Sequence, residues 1–201
     1  MSIYLASRSP RRRQLLEQMG VAFDVLPFRD DLRRDPETDE TPLPGEAPVA
    51  YVERIARAKA AHGWRIMDWR QRPLRPLLAA DTTLELAGEI IGKPQDAAAA
   101  TTILRRLSGQ THRVLTAVAV RQSSGTDFVL SISEVRFRHL SDDEIGAYVS
   151  TGEPLDKAGA YGIQGRGGMF VAHLAGSFTG VMGLPVCETG ELLKRLGCKL
   201  F

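Results

Sequence analysis

The sharpest feature of the hydropathy pattern is Leu77-Leu78-Ala79-Ala80, an apolar run that meets an acid at Asp81. A short apolar run bounded by polar residues predicts a buried strand of an α/β sheet. Ligands of open α/β sheets gather at the carboxyl ends of such strands. Asp81 is therefore a candidate for chemistry, and a side chain that caps a turn is the plainer alternative. Thr82 to Ile91 reads as a hairpin that turns at Ala87-Gly88-Glu89. Its return strand delivers Gly92-Lys93-Pro94, which brings a cation back toward the acid.

Upstream, Ile3 to Ala6 reads as a short strand, and Ser9-Pro10 supplies an N-cap and a first helical residue. That helix buries Leu15, Leu16 and Met19 and ends at Gly20. Arg11, Arg12 and Arg13 in its first turn oppose the helix dipole by about a few tenths of a kcal/mol each. An anion would resolve this, because helix N-termini and the arginine fork both favour phosphate. The alternatives are a solvated basic turn or an electrostatic contact with nucleic acid. Residues 27–48 are rich in proline and charge and predict a long loop, in which Asp39-Glu40 offers a pair of hard-metal ligands. A helix from Pro48 to His62 places Val52, Ile55, Ala56 and Lys59 on one stripe. Lys59 is then either a snorkelling lysine or a cation aimed into a cleft.

Residues 64–76 carry four arginines and both tryptophans and read as a surface excursion, with stacking on single-stranded nucleic acid as the rival. Asp96 opens a helix that runs through Leu107. His112–Arg121 and Phe128–Arg138 alternate as strands, with His112 a hydrogen-bonded structural residue. Ser141 to Glu144 forms a capping box for a helix through Val149. The glycine-rich stretch Gly152–Gly165 lacks the closing GKS or GKT of a P-loop. Within it Tyr161 and Gln164 are placed to face a base, and Gln164 has both a donor and an acceptor for a pyrimidine edge. Met169–Ala175 is a further strand, and Pro185 opens a last helix that ends at Gly197.

Composition changes this picture little. The chain has 201 residues, 43% hydrophobic and 25% charged, as in ordinary globular proteins. No apolar run approaches the length of a membrane span, and the N-terminal apolar region is too short for a signal peptide. Cys187 and Cys198 match no metal or redox spacing, which predicts reduced thiols in a cytoplasmic protein. The net charge of +2 argues against a stable nucleic-acid partner, since a polyanion would have to be met by a local patch.

The segments LASRSPRR (5–12), DETPLPGE (39–46), ARAKA (56–60), AADT (79–82), GEIIGKP (88–94), LSGQTHRVLT (107–116), SEVRFR (133–138), GEPLDKAGAYGIQG (152–165) and GSFTGVMGLP (176–185) together resemble the Maf family of nucleoside triphosphate pyrophosphatases. The resemblance implies one domain over 1–201, with an inosine-triphosphatase-like α/β fold. Its elongated mixed sheet is flanked by helices, and two lobes share a cleft. It further implies a homodimer and hydrolysis of a nucleoside triphosphate to the monophosphate and pyrophosphate with a divalent cation, Mg²⁺ or Mn²⁺. On the matching positions Asp81 is the general base, Glu40 and Asp81 hold the metal, and Ser7, Arg12, Lys59 and Lys93 bind substrate. Arg11, Thr82 and Gln164 match the branch acting on dTTP and UTP rather than on 7-methyl-GTP. An ordinary Asp is a weak base near neutrality, so orientation of the attacking water is the larger part of its expected role. A nucleotide-binding regulator of septum formation is the alternative from another class. Arg8, the long loop before Asp39, Phe178 and Gly180 depart from the family pattern, and 64–76 has no counterpart in it.

Overall fold

A computed structural model of the chain describes residues 2–26, 39–198 and 200. Residues 27–38, most of the loop expected at 27–48, lie outside the described residues. The elements in order are β1 (Ile3–Leu5), α1 (Pro10–Gln18), β2 (Phe23–Val25), α2 (Pro48–Trp69), β3 (Leu77–Leu86), β4 (Glu89–Ile91), α3 (Ala97–Leu107), β5 (Thr111–Gln122), β6 (Gly125–Phe137), α4 (Asp142–Val149), β7 (Val171–Ala175), α5 (Phe178–Met182) and α6 (Val186–Arg195). Short 3₁₀ turns occupy Glu153–Asp156, Ala158–Ala160 and Arg166–Phe170.

The strands form one mixed seven-stranded sheet of order β2-β1-β3-β5-β6-β7, with β4 paired to β3. β2, β1 and β3 run parallel, whereas β3, β5, β6 and β7 are joined antiparallel. Side chains alternate between the faces of a strand, and β3 shows the consequence. Leu77 and Ala79 pack under α2 with Tyr4, Ala6, Leu115, Ala117 and Ala119. Leu78 and Ala80 pack on the other face with Leu15 and Leu16 of α1 and Leu192 and Leu193 of α6. A third cluster joins Leu84, Val114, Val135 and Phe137 to α3, α4 and the glycine-rich segment. No helix among the described residues is long and apolar enough to cross a membrane.

Four expectations are corrected. Asp81 does not end its strand: β3 continues for ten residues to Leu86, because the β-branched Thr82 and Thr83 and the alternating Leu84-Glu85-Leu86 suit a pleated surface. The hairpin turn is Ala87-Gly88 alone, both at positive φ, and Glu89 already belongs to β4. Helix α2 does not stop near His62 but reaches Trp69, so half of the supposed excursion at 64–76 is helical. Gly63 serves packing rather than termination, since a Cβ there would lie 2.9 Å from Leu77 Cδ1 and 3.1 Å from Ala6 Cβ. Met169 and Phe170 lie in a 3₁₀ turn, and β7 begins only at Val171. β2 and α5 are additional elements. Each is very short, three and five residues, too short to set up a readable period.

The extension of α2 is testable. Met67 lies within it and is fully buried, so Met67→Ala is expected to cost about 2–5 kcal/mol in urea unfolding. A surface excursion would show almost no change.

Candidate active site

The site forms where β3 runs past its neighbours. β1 pairs with Leu77 and Leu78, and β4 pairs only from Leu84 onward. Between them residues 79–83 keep β5 on one side and, among the described residues, have no strand on the other. Around this open edge both faces of the strand can be approached, so Asp81 on the α2 face and Thr82 on the α1 face serve one region.

On the α2 face Lys59 Nζ lies 2.7 Å from Asp81 Oδ1 and 2.6 Å from Glu40 Oε1. The amphipathic stripe of α2 aims Lys59 inward, as its spacing with Val52, Ile55 and Ala56 demands. Its side chain is 17% exposed and that of Asp81 10%, so the pair is shielded well beyond a surface salt bridge. Glu40 is held by its own loop: Tyr51 Oη donates to the Glu40 carbonyl at 2.9 Å, and Arg54 donates to the Thr41 carbonyl at 3.1 Å. Arg54 also forks onto Glu46 at 2.6 and 2.7 Å, and with the Leu43 N–H it holds the Glu46 carboxyl down at about 2. For Glu40, burial pushes the carboxyl up. The Lys59 ammonium and its hydrogen bond, then Lys93 and Arg12, outweigh that and bring it below the usual range. Lys93, exposed just past β4, thus acts on the same carboxylate.

On the opposite face Arg12 is a strut. Its Nε donates to the Gly183 carbonyl at 2.8 Å, and its terminal nitrogens reach Ser7 Oγ at 3.3 Å and Thr82 Oγ1 at 3.1 Å. Burial lowers its pKa, and attraction to Asp81 partly offsets this. Thr82 Oγ1 also lies 2.9 Å from Thr116 Oγ1, which donates to the Gly180 carbonyl at 2.8 Å. Thr116 was not singled out from the sequence. Its signals were its place at the end of LSGQTHRVLT and a hydroxyl among Val114, Val118 and Val120 on a buried face. Glu46 closes the DETPLPGE stretch but was given no role there, and Arg54 carried no local signal, because the two meet between a loop and a helix.

Arg11 points elsewhere. It donates to Asp156 Oδ2 at 3.4 Å, in the glycine-rich segment that also carries the exposed Gln164. Tyr161 is not available to a base. It is 5% exposed and bonded to His112 Nε2 at 2.9 Å. His112 is structural, as expected, and burial drives its pKa down to about 4. The glycine-rich segment abuts the hairpin through Gly159 N–H, which donates to the Gly92 carbonyl at 3.1 Å. The structure therefore brings together Glu40, Lys59, Asp81, Lys93, Arg12, Ser7 and Thr82, while Arg11 and Gln164 lie toward the glycine-rich side.

The charges suit a polyanion. Two carboxylates are matched by Lys59, Lys93 and Arg12, which leaves cationic surplus for phosphate oxygens. Among the described residues no three His, Cys, Asp or Glu side chains cluster tightly enough to cage a metal. Glu40 and Asp81, as paired hard-oxygen donors, nevertheless fit a divalent cation that completes its shell with substrate phosphates and water.

A family model described as Maf-like protein matches residues 2–196. The chain is 71% identical over 197 residues to a dTTP/UTP pyrophosphatase of Dechloromonas aromatica, covering 98% of each chain. It is 60% identical over 199 residues to a dTTP/UTP pyrophosphatase of Aromatoleum aromaticum, covering 98% of this chain and 97% of that one. Among solved structures, the Ham1 protein of Staphylococcus aureus aligns at a TM-score of 0.47 and 14% identity, over 68% of this chain and 72% of that one.

Removing Lys59 tests the charge balance. Glu40, lowered from 4.5, adds stability above that pH and loses it as pH falls through its depressed folded value. In Lys59→Met two carboxylates face each other without the ammonium, and one is expected to titrate above its unfolded value. A raised carboxyl stabilises the fold below the unfolded pKa and loses that contribution as pH rises. Thermal unfolding at pH 7 and pH 5 should then show the variant gaining on acidification relative to the wild type. Parallel curves would uncouple Lys59 from the carboxylates.

Proposed function

The chain belongs to the Maf-like protein family, and from that membership and the geometry of its site we propose that it is a pyrophosphatase hydrolysing dTTP and UTP to the monophosphate and pyrophosphate. The observation that carries this reading is the Glu40–Lys59–Asp81 cluster at the open edge of β3, ringed by further cations. A nucleotide binder without turnover has no use for a buried carboxylate facing a triphosphate.

The reaction is in-line attack of water on the α-phosphorus with departure of pyrophosphate. Lys59 holds Asp81 Oδ1, which leaves Oδ2 to accept a hydrogen bond from the attacking water and to take its proton as the bond to phosphorus forms. The same contact fixes the carboxylate in one orientation, so the water is aligned before the reaction begins. Lys59 and Lys93 offer donors to the phosphate oxygens, whose charge grows on the leaving group. Arg12 adds its field while its own donors secure Ser7, Thr82 and Gly183. Glu40 and Asp81 would hold the Mg²⁺ or Mn²⁺, which when bound neutralises triphosphate charge.

Discrimination between bases rests on Arg11 and Gln164. Gln164 alone is ambiguous, because an amide can present either its donor or its acceptor first. Arg11 has donors only, so it donates to a keto oxygen of thymine or uracil and finds no acceptor in the amino group of cytosine. Thr82 supports the pair indirectly, through Arg12 in the same first turn of α1.

Asp81→Asn is expected to lose about a hundredfold or more in kcat while calorimetry still detects dTTP binding. Turnover retained in that variant would remove Asp81 from the mechanism. Pyrophosphate release from a panel of dTTP, UTP, CTP, GTP and 7-methyl-GTP is expected from dTTP and UTP. Release mainly from 7-methyl-GTP would overturn the specificity assignment, and release from none would favour the regulator.

A further inference from the structure

The segment Gly152–Gly168 contains a second carboxylate site with its own logic. Glu153 is surrounded by backbone: its Oε2 accepts from Arg166 N–H at 3.1 Å, and its Oε1 from Gly167 N–H at 3.3 Å. Tyr148 Oη donates to the same Oε1 at 2.9 Å and accepts from Gly162 N–H at 3.2 Å. Burial pushes the Glu153 carboxyl up, but these hydrogen bonds and Lys157 outweigh it and hold it ionised, below the usual range.

The glycines record how closely the chain wraps this group. A Cβ at Gly165 would lie 2.4 Å from Glu153 Oε1, and one at Gly167 would lie 2.7 Å from Tyr148 Oη. Converging backbone N–H groups of this kind normally cradle a phosphate or another anion. Here the anion is built in, so the loop is closed to phosphate and its shape is fixed by the protein itself. A tight turn closed by Gly165 N–H onto the Gly162 carbonyl at 3.0 Å places Gln164 at its crest, exposed. Ile163 beside it is buried and anchors the turn. Both stems of the crest therefore depend on one carboxylate and its phenol.

The 3₁₀ turn Glu153–Asp156, which carries this carboxylate, also reaches Arg11. Asp156 accepts from Arg11, and Lys157 Nζ ties Asp156 Oδ1 at 2.5 Å to the Glu153 carbonyl at 2.6 Å. We infer that Glu153 is a positioning residue for base discrimination: by filling the N–H cradle of the Gly162–Gly167 loop it holds Gln164 in register with Arg11, which is tied through Asp156 to the turn that carries Glu153 itself. This rests on the reading of Arg11 and Gln164 given above. In this reading Glu153 acts through Gln164 and not by contact with the substrate.

The test compares kcat/KM for dTTP and CTP in the wild type, Glu153→Gln and Gln164→Ala, with kcat at saturating dTTP and Tm measured alongside. Glutamine at 153 keeps the shape but turns an N–H₂ group toward N–H donors, so the cradle loses an acceptor. Glu153→Gln is expected to lower the dTTP-to-CTP preference about tenfold, the worth of one hydrogen bond, chiefly through KM. Its kcat should fall far less than that of Asp81→Asn. A lower Tm with an unchanged preference would make Glu153 merely structural and overturn the inference, provided that Gln164→Ala does change the preference. If Gln164→Ala also leaves the preference intact, the reading of Gln164 fails and the inference falls with it. Should Glu153→Gln not fold, Tyr148→Phe removes only the hydroxyl that joins Glu153 to Gly162. It must shift the preference in the same direction, and no shift there overturns the inference.

Discussion

The gap along one edge of β3 is the constraint on which the rest of the site depends. β1 cannot extend to fill it, because Ser9 and Pro10 immediately commit the chain to α1, with Ser9 Oγ capping Arg12 N–H at 3.4 Å. β4 cannot fill it either. The two-residue turn at Ala87-Gly88 starts a return strand that ends at Ile91, and Pro94 has no N–H to continue a ladder. Among the described residues, five positions of β3 are left with only β5 beside them, and Asp81 and Thr82 lie at their middle.

Around that edge the protein assembles charge from parts distant in sequence. A lysine from α2, a glutamate from the preceding loop and an aspartate from β3 meet through a single ammonium. Buried ion pairs are poor sources of stability, since desolvation consumes most of the attraction. Their retention here agrees with a requirement for fixed orientation, and the same holds for Arg12, whose three donor nitrogens are all directed inward. The glycine-rich segment repeats the device with Glu153. In each case a charge is immobilised by the protein so that a neighbouring group can face the ligand in one geometry.

Much of the fold was legible locally. Capping at Ser9, Asp96 and Ser141, the alternation of β5 and β6, and the stripe on α2 are short-range regularities, and each produced the expected element. Errors arose where a local signal had a tertiary cause. The helix expected to end at His62 runs on to Trp69, with Gly63 packed against Leu77. Asp81 resembled a strand end because an acid is costly inside a sheet, yet Lys59 on the facing helix offsets that cost. Tyr161 resembled a base platform and is a core residue bonded to His112.

The sequence by itself singled out an acid, two lysines and a basic helix start as groups that belong together, because residue type and ordered motifs survive without coordinates. It also determined that Lys59 faces inward, since helical periodicity is a property of the chain alone. Only the tertiary structure decided which partners hold each of these groups. Arg11 and Arg12 are adjacent and chemically identical, but one is turned to Gly183 and the other to Asp156. Glu40 is positioned by Tyr51 and by Arg54, which Glu46 in turn secures, and Gln164 by a carboxylate eleven positions before it in the chain. Such partnerships join segments whose separation in sequence carries no period. Their physical basis is the closure of loops against a shared sheet, which local pattern cannot encode.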